Sequence, residues 1–251
     1  MSDPALAVPA ASLSLPSSLA GLVWRGAAMA SGCAGTTPSG YAPLDALLPG
    51  GGWPHRGLIE LLLQQNGIGE MRLLLPALRH LSGQRIALIQ PPHLPQLASW
   101  RGGGLSPERL LWIRAPRTAD ALWSAEQVLR NGSCGAMLFW QGAMRSESLR
   151  RLQMAAQASD MLCWLLRPLA MADTASPASL RLALRPHPES LRIDVLKRRG
   201  PQCAAPLLLQ WPDSFSLRHG LVSILRESSD AFMDRRLPAS AAAAGLSSAL
   251  V

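Results

Sequence analysis

Residues 57–72 read Gly-Leu-Ile-Glu-Leu-Leu-Leu-Gln-Gln-Asn-Gly-Ile-Gly-Glu-Met-Arg. The apolar run from Leu58 to Leu63 is short and follows a glycine, which is typical of a buried strand. A turn with two glycines follows, and then a helical pattern from Glu70 to Leu81, in which Pro76 is expected to produce a kink. A strand that enters a helix through such a turn is typical of the first unit of an α/β fold.

Strand and helix patterns continue to alternate after this unit. Strands are predicted at 85–90, 110–113, 136–140 and 161–166, and helices at 118–130 and 146–159. Because the strands are almost wholly apolar, we predict an α/β fold with a mostly parallel sheet flanked by helices on both faces. Three later segments predict an antiparallel extension at one edge: 180–184, 191–196 and 206–210.

Some side chains have expected positions within these elements. Thr118 is expected to cap its helix, and Asn131-Gly132 to end it. The apolar face of the helix at 146–159 is expected to hold Leu149, Leu152, Met154 and Ala156. The tryptophans expected in the core are Trp112, Trp140 and Trp164.

Composition divides the chain into three regions. Residues 1–37 are rich in Ala, Ser, Pro and Gly, and we predict a flexible arm with one short helix at about 19–29. Residues 38–227 form the predicted core. Residues 228–251 are polar and then rich in alanine, which predicts a disordered tail.

The charge balance favours an anionic partner. The chain has 251 residues, 48% of them hydrophobic, and a formal net charge of +8. Lys197 is the one lysine among 24 lysines and arginines, so any chemistry that needs a lysine must use it. DNA is one partner that such a charge would suit.

Metal, disulfide and membrane chemistry find no support in the sequence. The four cysteines are far apart and form no CxxC pair, and the histidines have no ligand spacing, so we expect no metal site. No apolar run is long enough for a membrane span, and no secretory signal is evident. We therefore expect a cytoplasmic protein that does not bind membranes.

The turn at 64–70 stands where an α/β fold of this order places a phosphate-binding loop. It keeps Gly67 and Gly69, but Glu70 occupies the position where such a loop needs lysine, and Met71 the position of the magnesium-binding hydroxyl. At ~4 Å and an effective dielectric of ~20, two unit charges attract or repel each other by about 4 kcal/mol. Replacing an attractive lysine with a repulsive glutamate therefore removes nucleotide affinity. We predict a degenerate loop over Asn66 to Met71 and no cofactor.

Acidic residues are also missing where nucleotide chemistry would need them. The strand predicted at 136–140 is followed by Gln141, and the strand predicted at 85–90 ends at Gln90 and is followed by two prolines. An alternative interpretation remains open, in which the fold never bound nucleotides and the glycines serve only a tight turn.

The stretch from Ser39 to Leu61, SGYAPLDALLPGGGWPHRGLIEL, resembles the segment that leads into the nucleotide loop of the RecA ATPase core. Residues 126–141 resemble the RecA helix and strand around the magnesium-binding acid, and residues 191–206 resemble a later part of that core. In that later part, Lys197 and Arg199 fall on the places of two RecA lysines that reach the neighbouring subunit's nucleotide.

Within this group the chain is more similar to the ImuA family, which is associated with translesion DNA synthesis. The motifs that carry the resemblance are PGGGWP at 49–54, GIGE at 67–70, PPHLP at 91–95, LWSAEQ at 122–127, RRLQ at 150–153 and KRRG at 197–200. The resemblance implies a non-catalytic role in the bacterial SOS response. It also implies three partners: RecA, an ImuB-like Y-family protein and an error-prone DnaE-type polymerase.

Candidate contact residues for a partner protein or for DNA are Lys197, Arg198, Arg199, Arg150, Arg151, Trp53 and Trp100, with Trp24 in the arm as a further anchor. The alternative for the arginines is a solvated surface. An alternative function is a SulA-like inhibitor of cell division, because the region from Leu58 to about Pro168 resembles SulA more loosely. The RecA-like segment beyond Pro168 favours the adaptor.

Overall fold

The structure is a computed structural model that describes residues 35–81, 83–201 and 205–211. The predicted arm helix at 19–29, Trp24 and the predicted tail lie outside the described residues, as does the predicted core boundary at 227. Contacts divide the chain into a unit that ends at Gln210 and a second that begins at Trp211. In the described ranges, no helix is both long enough and apolar enough to cross a membrane.

The described chain alternates strands and helices. The strands are β1 (Thr36–Thr37), β2 (Trp53–Pro54), β3 (Leu58–Leu63), β4 (Arg85–Ile89), β5 (Leu110–Ile113), β6 (Cys134–Trp140), β7 (Leu162–Pro168), β8 (Leu180–His187), β9 (Ser190–Lys197) and β10 (Leu207–Gln210). The helices are α1 (Ala42–Asp45), α2 (Glu70–His80), α3 (Leu97–Gly102), α4 (Thr118–Asn131) and α5 (Ser146–Gln157). Two short 3-10 turns lie at Pro107–Arg109 and Leu169–Met171.

Eight strands form one sheet in the order β10-β9-β8-β3-β7-β6-β4-β5. The pairs from β8 through β3, β7, β6 and β4 to β5 are all parallel, whereas β8, β9 and β10 pair in antiparallel fashion. The predicted α/β class, the mostly parallel sheet and the antiparallel extension are therefore confirmed.

Helices cover both faces of this sheet. The chain moves in one direction along the sheet from β3 to β4 and β5, and in the other direction from β5 to β6 and β7. Because crossovers between parallel strands are right-handed, α2 and α3 lie on one face and α4 and α5 on the other. One buried cluster joins α4 and α5 to the sheet, and every side chain of β3 is buried between the two layers.

A buried ion network links three adjacent strands of the sheet. The carboxylate of Glu60 on β3 accepts hydrogen bonds from Arg167 on β7 (3.1 Å), from Arg181 on β8 (2.6 Å) and from the Ser176 hydroxyl (2.8 Å). Arg181 also donates to the carbonyl oxygens of Met171 and Ala172, so the network holds the link between β7 and β8 against the sheet. Removing one partner would leave an uncompensated buried charge, which is strongly destabilising.

Helix α4 begins without the predicted threonine cap. Arg117 is the residue before its first turn, no side chain caps that turn, and Arg117 instead forms an ion pair with Asp120 at 2.9 Å. The predicted end of α4 is confirmed, because Gly132 has the left-handed φ of 66° and its N–H bonds back to Val128. The expectation for Thr118 is corrected.

Two of the expected core positions are also corrected. Trp112 is 42% exposed because β5 is the last strand of the sheet and has one neighbour among the described strands. Met154 is 65% exposed because it points away from the face of α5 that carries Leu149, Leu152 and Ala156. Trp164, by contrast, is fully buried as predicted.

Helix α2 continues through Pro76 because another residue satisfies the carbonyl that the proline leaves open. Proline has no N–H, so the carbonyl of Arg72, four residues earlier, loses its helical partner. The buried hydroxyl of Tyr41 donates a hydrogen bond to this carbonyl at 3.0 Å. Burial also raises the pKa of the Tyr41 phenol. The Tyr41 hydroxyl, from the segment before the sheet, therefore compensates for the missing N–H of Pro76 in the first long helix.

We predict that Tyr41→Phe lowers the free energy of unfolding by about 1 to 2 kcal/mol, because the Arg72 carbonyl loses its donor in a buried place. The same substitution in a Pro76→Ala background should cost clearly less, since alanine at this position supplies a backbone N–H to that carbonyl. Urea unfolding of the four proteins of this cycle measures the coupling. Equal costs in both backgrounds would show that the hydroxyl does not serve the proline.

Candidate functional site

The candidate site is the loop that joins β3 to α2 at the carboxyl edge of the parallel strands. Gly67 and Gly69 have φ angles of 82° and 109°, a left-handed backbone that favours glycine. Gly69 is the residue before the first turn of α2, and no side chain caps that turn. Loops of this kind direct backbone N–H groups toward an anion at the start of a helix.

The anion at this helix start is supplied by the loop itself. The Glu70 side chain folds back, and its Oε1 accepts a hydrogen bond from the Gly67 N–H at 2.8 Å. Glu70 is only 4% exposed, and its Oε2 atom is buried with no hydrogen-bond partner among the described residues. The carboxylate also lies in the first turn of α2, where a negative charge is favourable.

The remaining residues of the loop offer no replacement for the missing lysine. Asn66 is exposed, and Met71 is a half-buried thioether that carries no hydroxyl. Sequence reasoning placed Glu70 at the lysine position of the loop, where it would repel a phosphate. It did not show that the carboxylate closes on Gly67, because a side-chain direction cannot be derived from spacing alone.

Amide side chains follow two of the central strands. Gln90 comes directly after β4 with a φ of 54°, and its side-chain N–H donates to the Ala115 carbonyl. Gln141 comes directly after β6, and its backbone N–H donates to the Leu166 carbonyl at 3.1 Å. A neutral amide can neither bind Mg²⁺ as a carboxylate does nor accept a proton from water.

The described cysteines are structural. Burial raises the pKa of the Cys163 thiol to about 12, and burial also raises the pKa of Cys134. A thiol with a raised pKa is a poor nucleophile, because the thiolate is the reactive form. Within the described ranges, no group of three His, Cys, Asp or Glu residues could hold a metal ion.

The predicted basic cluster at the end of β9 divides into bonded and free side chains. Lys197 donates to the Ser176 carbonyl at 2.8 Å, and Arg198 donates to the Leu47 carbonyl at 2.6 Å. Arg199 is exposed and has no ion pair or hydrogen bond in the part of the chain that the structure describes. Arg199 is therefore the member of this cluster whose guanidinium is available to a partner.

The predicted basic pair on α5 divides in the same way. Arg151 forms an ion pair at 2.7 Å with Glu126 of α4, whose carboxylate is almost fully buried. Arg150 is exposed and has no charged partner among the described residues. The two helices are thus joined by one arginine, while the other faces solvent.

The two candidate tryptophan anchors are corrected. Trp53 is fully buried, because β2 pairs with β1 and brings the indole edge-to-face against Trp164, with 5.7 Å between ring centroids. Trp100 is buried on α3. Neither ring is open to a partner.

The exposed tryptophan that sequence reasoning missed is Trp123 on α4, at 62% exposure. A signal was present, since Trp123 lies two residues from both Ala121 and Ala125, which are buried, and so falls on the opposite side of the helix.

No protein-family model matches the chain, and no curated protein sequence matches it at the significance required.

We predict that Glu70→Ala opens the loop to an external anion. Inorganic phosphate at about ten times its dissociation constant should stabilise this variant by about 1.4 kcal/mol and raise its Tm by about 3 to 6 °C, as measured by calorimetry. The wild-type Tm should respond much less, because its own carboxylate holds the Gly67 N–H.

Glu147→Ala is the matched control, because it removes an exposed carboxylate from the first turn of α5 and so changes the net charge equally. Its Tm should respond to phosphate as the wild type does. An equal response in all three proteins would show that phosphate binds to the basic surface and not to the loop.

Proposed function

We propose that this chain is a non-catalytic adaptor with a RecA-like core that acts in mutagenic translesion DNA synthesis during the SOS response. It works through contacts with RecA, with an ImuB-like Y-family protein and with an error-prone DnaE-type polymerase. The observation that carries the proposal is the Glu70 carboxylate on the Gly67 N–H, where a nucleotide-binding relative would hold a phosphate.

The loop chemistry supports a role without nucleotide turnover. A phosphate would have to displace the resident carboxylate and would then meet its charge, at a cost of about 4 kcal/mol for a charge pair ~4 Å apart in an effective dielectric of ~20. Lys197 does not compensate, because its ammonium group donates to the Ser176 carbonyl beyond β7. The strand ends supply Gln90 and Gln141 in place of acids.

The architecture supports the RecA-like part of the proposal only at the level of the fold class. A mostly parallel sheet with an antiparallel extension is compatible with a RecA-like core. The specific support is the set of motifs from residue 49 to residue 200 that resemble the ImuA family. These motifs favour the adaptor over a SulA-like inhibitor, because SulA resembles only the part up to about Pro168.

Direct DNA contact is a further part of the proposal. The net charge of +8 and exposed guanidinium groups such as those of Arg150 and Arg199 are its support. Contacts of this kind weaken steeply as salt is raised. A salt series with single-stranded DNA would therefore separate phosphate contacts from contacts with protein partners.

We predict that the purified chain retains purified ImuB-like protein in a pull-down, and that retention is the same with and without ATP and Mg²⁺. Glu70→Ala should retain the partner equally well, because the contact does not use the loop. RecA and the DnaE-type polymerase are tested in the same way, although RecA binds ATP itself and cannot serve for the nucleotide comparison.

If the chain retained none of the three partners, the proposed adaptor function would be contradicted. If overproduction of the chain also made undamaged cells grow as filaments, the SulA-like inhibitor would replace it. Retention that required ATP would contradict the non-catalytic interpretation of the loop.

A further inference from the structure

Helices α4 and α5 form an outward face that none of the described residues cover. The two helices lie side by side on one face of the sheet and are joined by the ion pair between Glu126 and Arg151. An open groove of about 560 Å³ runs between them. We call this surface the α4–α5 face.

The α4–α5 face carries a large exposed apolar side chain on each helix. Trp123 projects from α4 and Met154 from α5, although the buried sides of both helices are already filled by smaller and branched apolar residues. Leu129, Ala155 and Ala158 line the groove beside Met154. Tryptophan and methionine are enriched at the centres of protein interfaces, where their burial stabilises a complex.

Basic side chains line the groove together with Met154, and Trp123 lies one turn before the groove residue Glu126. Arg130 and Arg150 line the groove, are exposed, and have no acidic partner within the described ranges. Arg151 is 59% exposed even though it pairs with Glu126. Glu147 is the one exposed acid among the groove residues. The groove therefore presents an excess of positive charge beside Met154.

Helix geometry sets the spacing of the two apolar side chains. Both helices connect parallel strands, so they run in the same direction, and the Glu126–Arg151 ion pair links them. Trp123 lies about one turn before Glu126 on α4, and Met154 about one turn after Arg151 on α5. Each offset of three residues is about 4.5 Å at 1.5 Å per residue, so the two side chains lie on opposite sides of the ion pair, with offsets that sum to about 9 Å.

We infer that the α4–α5 face binds an acidic amphipathic helix of a partner protein. The helix would place two apolar side chains, about two turns apart, against Trp123 and Met154, and carboxylates against Arg130 and Arg150. Helix-in-groove binding uses such spaced anchors, and rim charges of opposite sign orient the partner. The inference rests on the proposed function insofar as the chain acts by protein contacts.

A second copy of the chain fits this face poorly. In a two-fold contact the same surface meets itself, so two faces with the same net positive charge would be brought together. Like charges in contact oppose association. The charge excess thus selects a partner of the opposite sign.

The test uses a synthetic helical peptide of about four turns, with two leucines two turns apart on one face and glutamates beside them. Methionine methyl groups of the full chain are labelled with ¹³C, and Met154→Leu assigns the Met154 signal. The glutamate peptide should shift this signal saturably, and a peptide with lysine in place of every glutamate should not. Arg150→Glu and Met154→Glu should each weaken binding at least tenfold, with affinity of the Met154 variant measured by peptide fluorescence anisotropy.

Arg101→Glu and Leu94→Glu are matched controls, because both residues are exposed and lie outside the groove. They should bind the glutamate peptide as the wild type does.

Equal loss in the control variants, or equal binding of the lysine peptide, would overturn the inference. A single-stranded oligonucleotide that shifts the Met154 signal more than the peptide would show a nucleic-acid surface in its place. If the wild-type chain did not bind the glutamate peptide but still retained the ImuB-like protein, the inference about the α4–α5 face would be wrong and the proposed adaptor function would stand.

Discussion

The hydrogen bond from the Gly67 N–H to the Glu70 carboxylate is the constraint from which the account of this protein follows. A glycine loop that enters a helix after a central strand has a strong preference for an anion. Here the chain provides that anion from its own first helical residue, and buries it. The loop keeps the backbone shape of a phosphate site while its charge requirement is already met. This closed loop is the reason that we propose a function at the surface of the sheet and helices, without turnover at the loop.

The arginines divide into two groups with different roles. Arg167 and Arg181 are buried around Glu60, and Arg198 donates to carbonyl oxygens, so these side chains hold the fold together. Arg150 and Arg199 face solvent without a charged partner in the described part of the chain. Both groups contribute to the formal charge of +8, but the guanidinium groups of the first are occupied within the fold. An arginine count cannot separate them, because the difference depends on which strands lie side by side.

The strands, the long helices and the sheet class could be predicted because each depends on local pattern. Leu58–Leu63 and Leu110–Ile113 match their predicted bounds, since short apolar runs between turns leave little choice. Positions that depend on distant partners could not be predicted. Pro76 is tolerated because the Tyr41 hydroxyl donates to the Arg72 carbonyl, which the proline leaves without a helical partner. Trp53 is buried because Trp164 lies against it.

The candidate site was predictable in part. The sequence placed a carboxylate at the lysine position of the loop and amides after the central strands, and the structure adds the contact that makes Glu70 an internal anion. Met154 was misplaced because it was assigned to the apolar face of its helix by residue type, and Trp123 was given no position. Helical phase, applied position by position, places both outside it.

Isothermal titration of the wild-type chain with ATP and Mg²⁺ tests the central claim most directly. The account predicts no saturable heat beyond dilution, because the Glu70 carboxylate already holds the loop N–H and occupies the position where a phosphate loop needs lysine. Saturable binding in the micromolar range would contradict it.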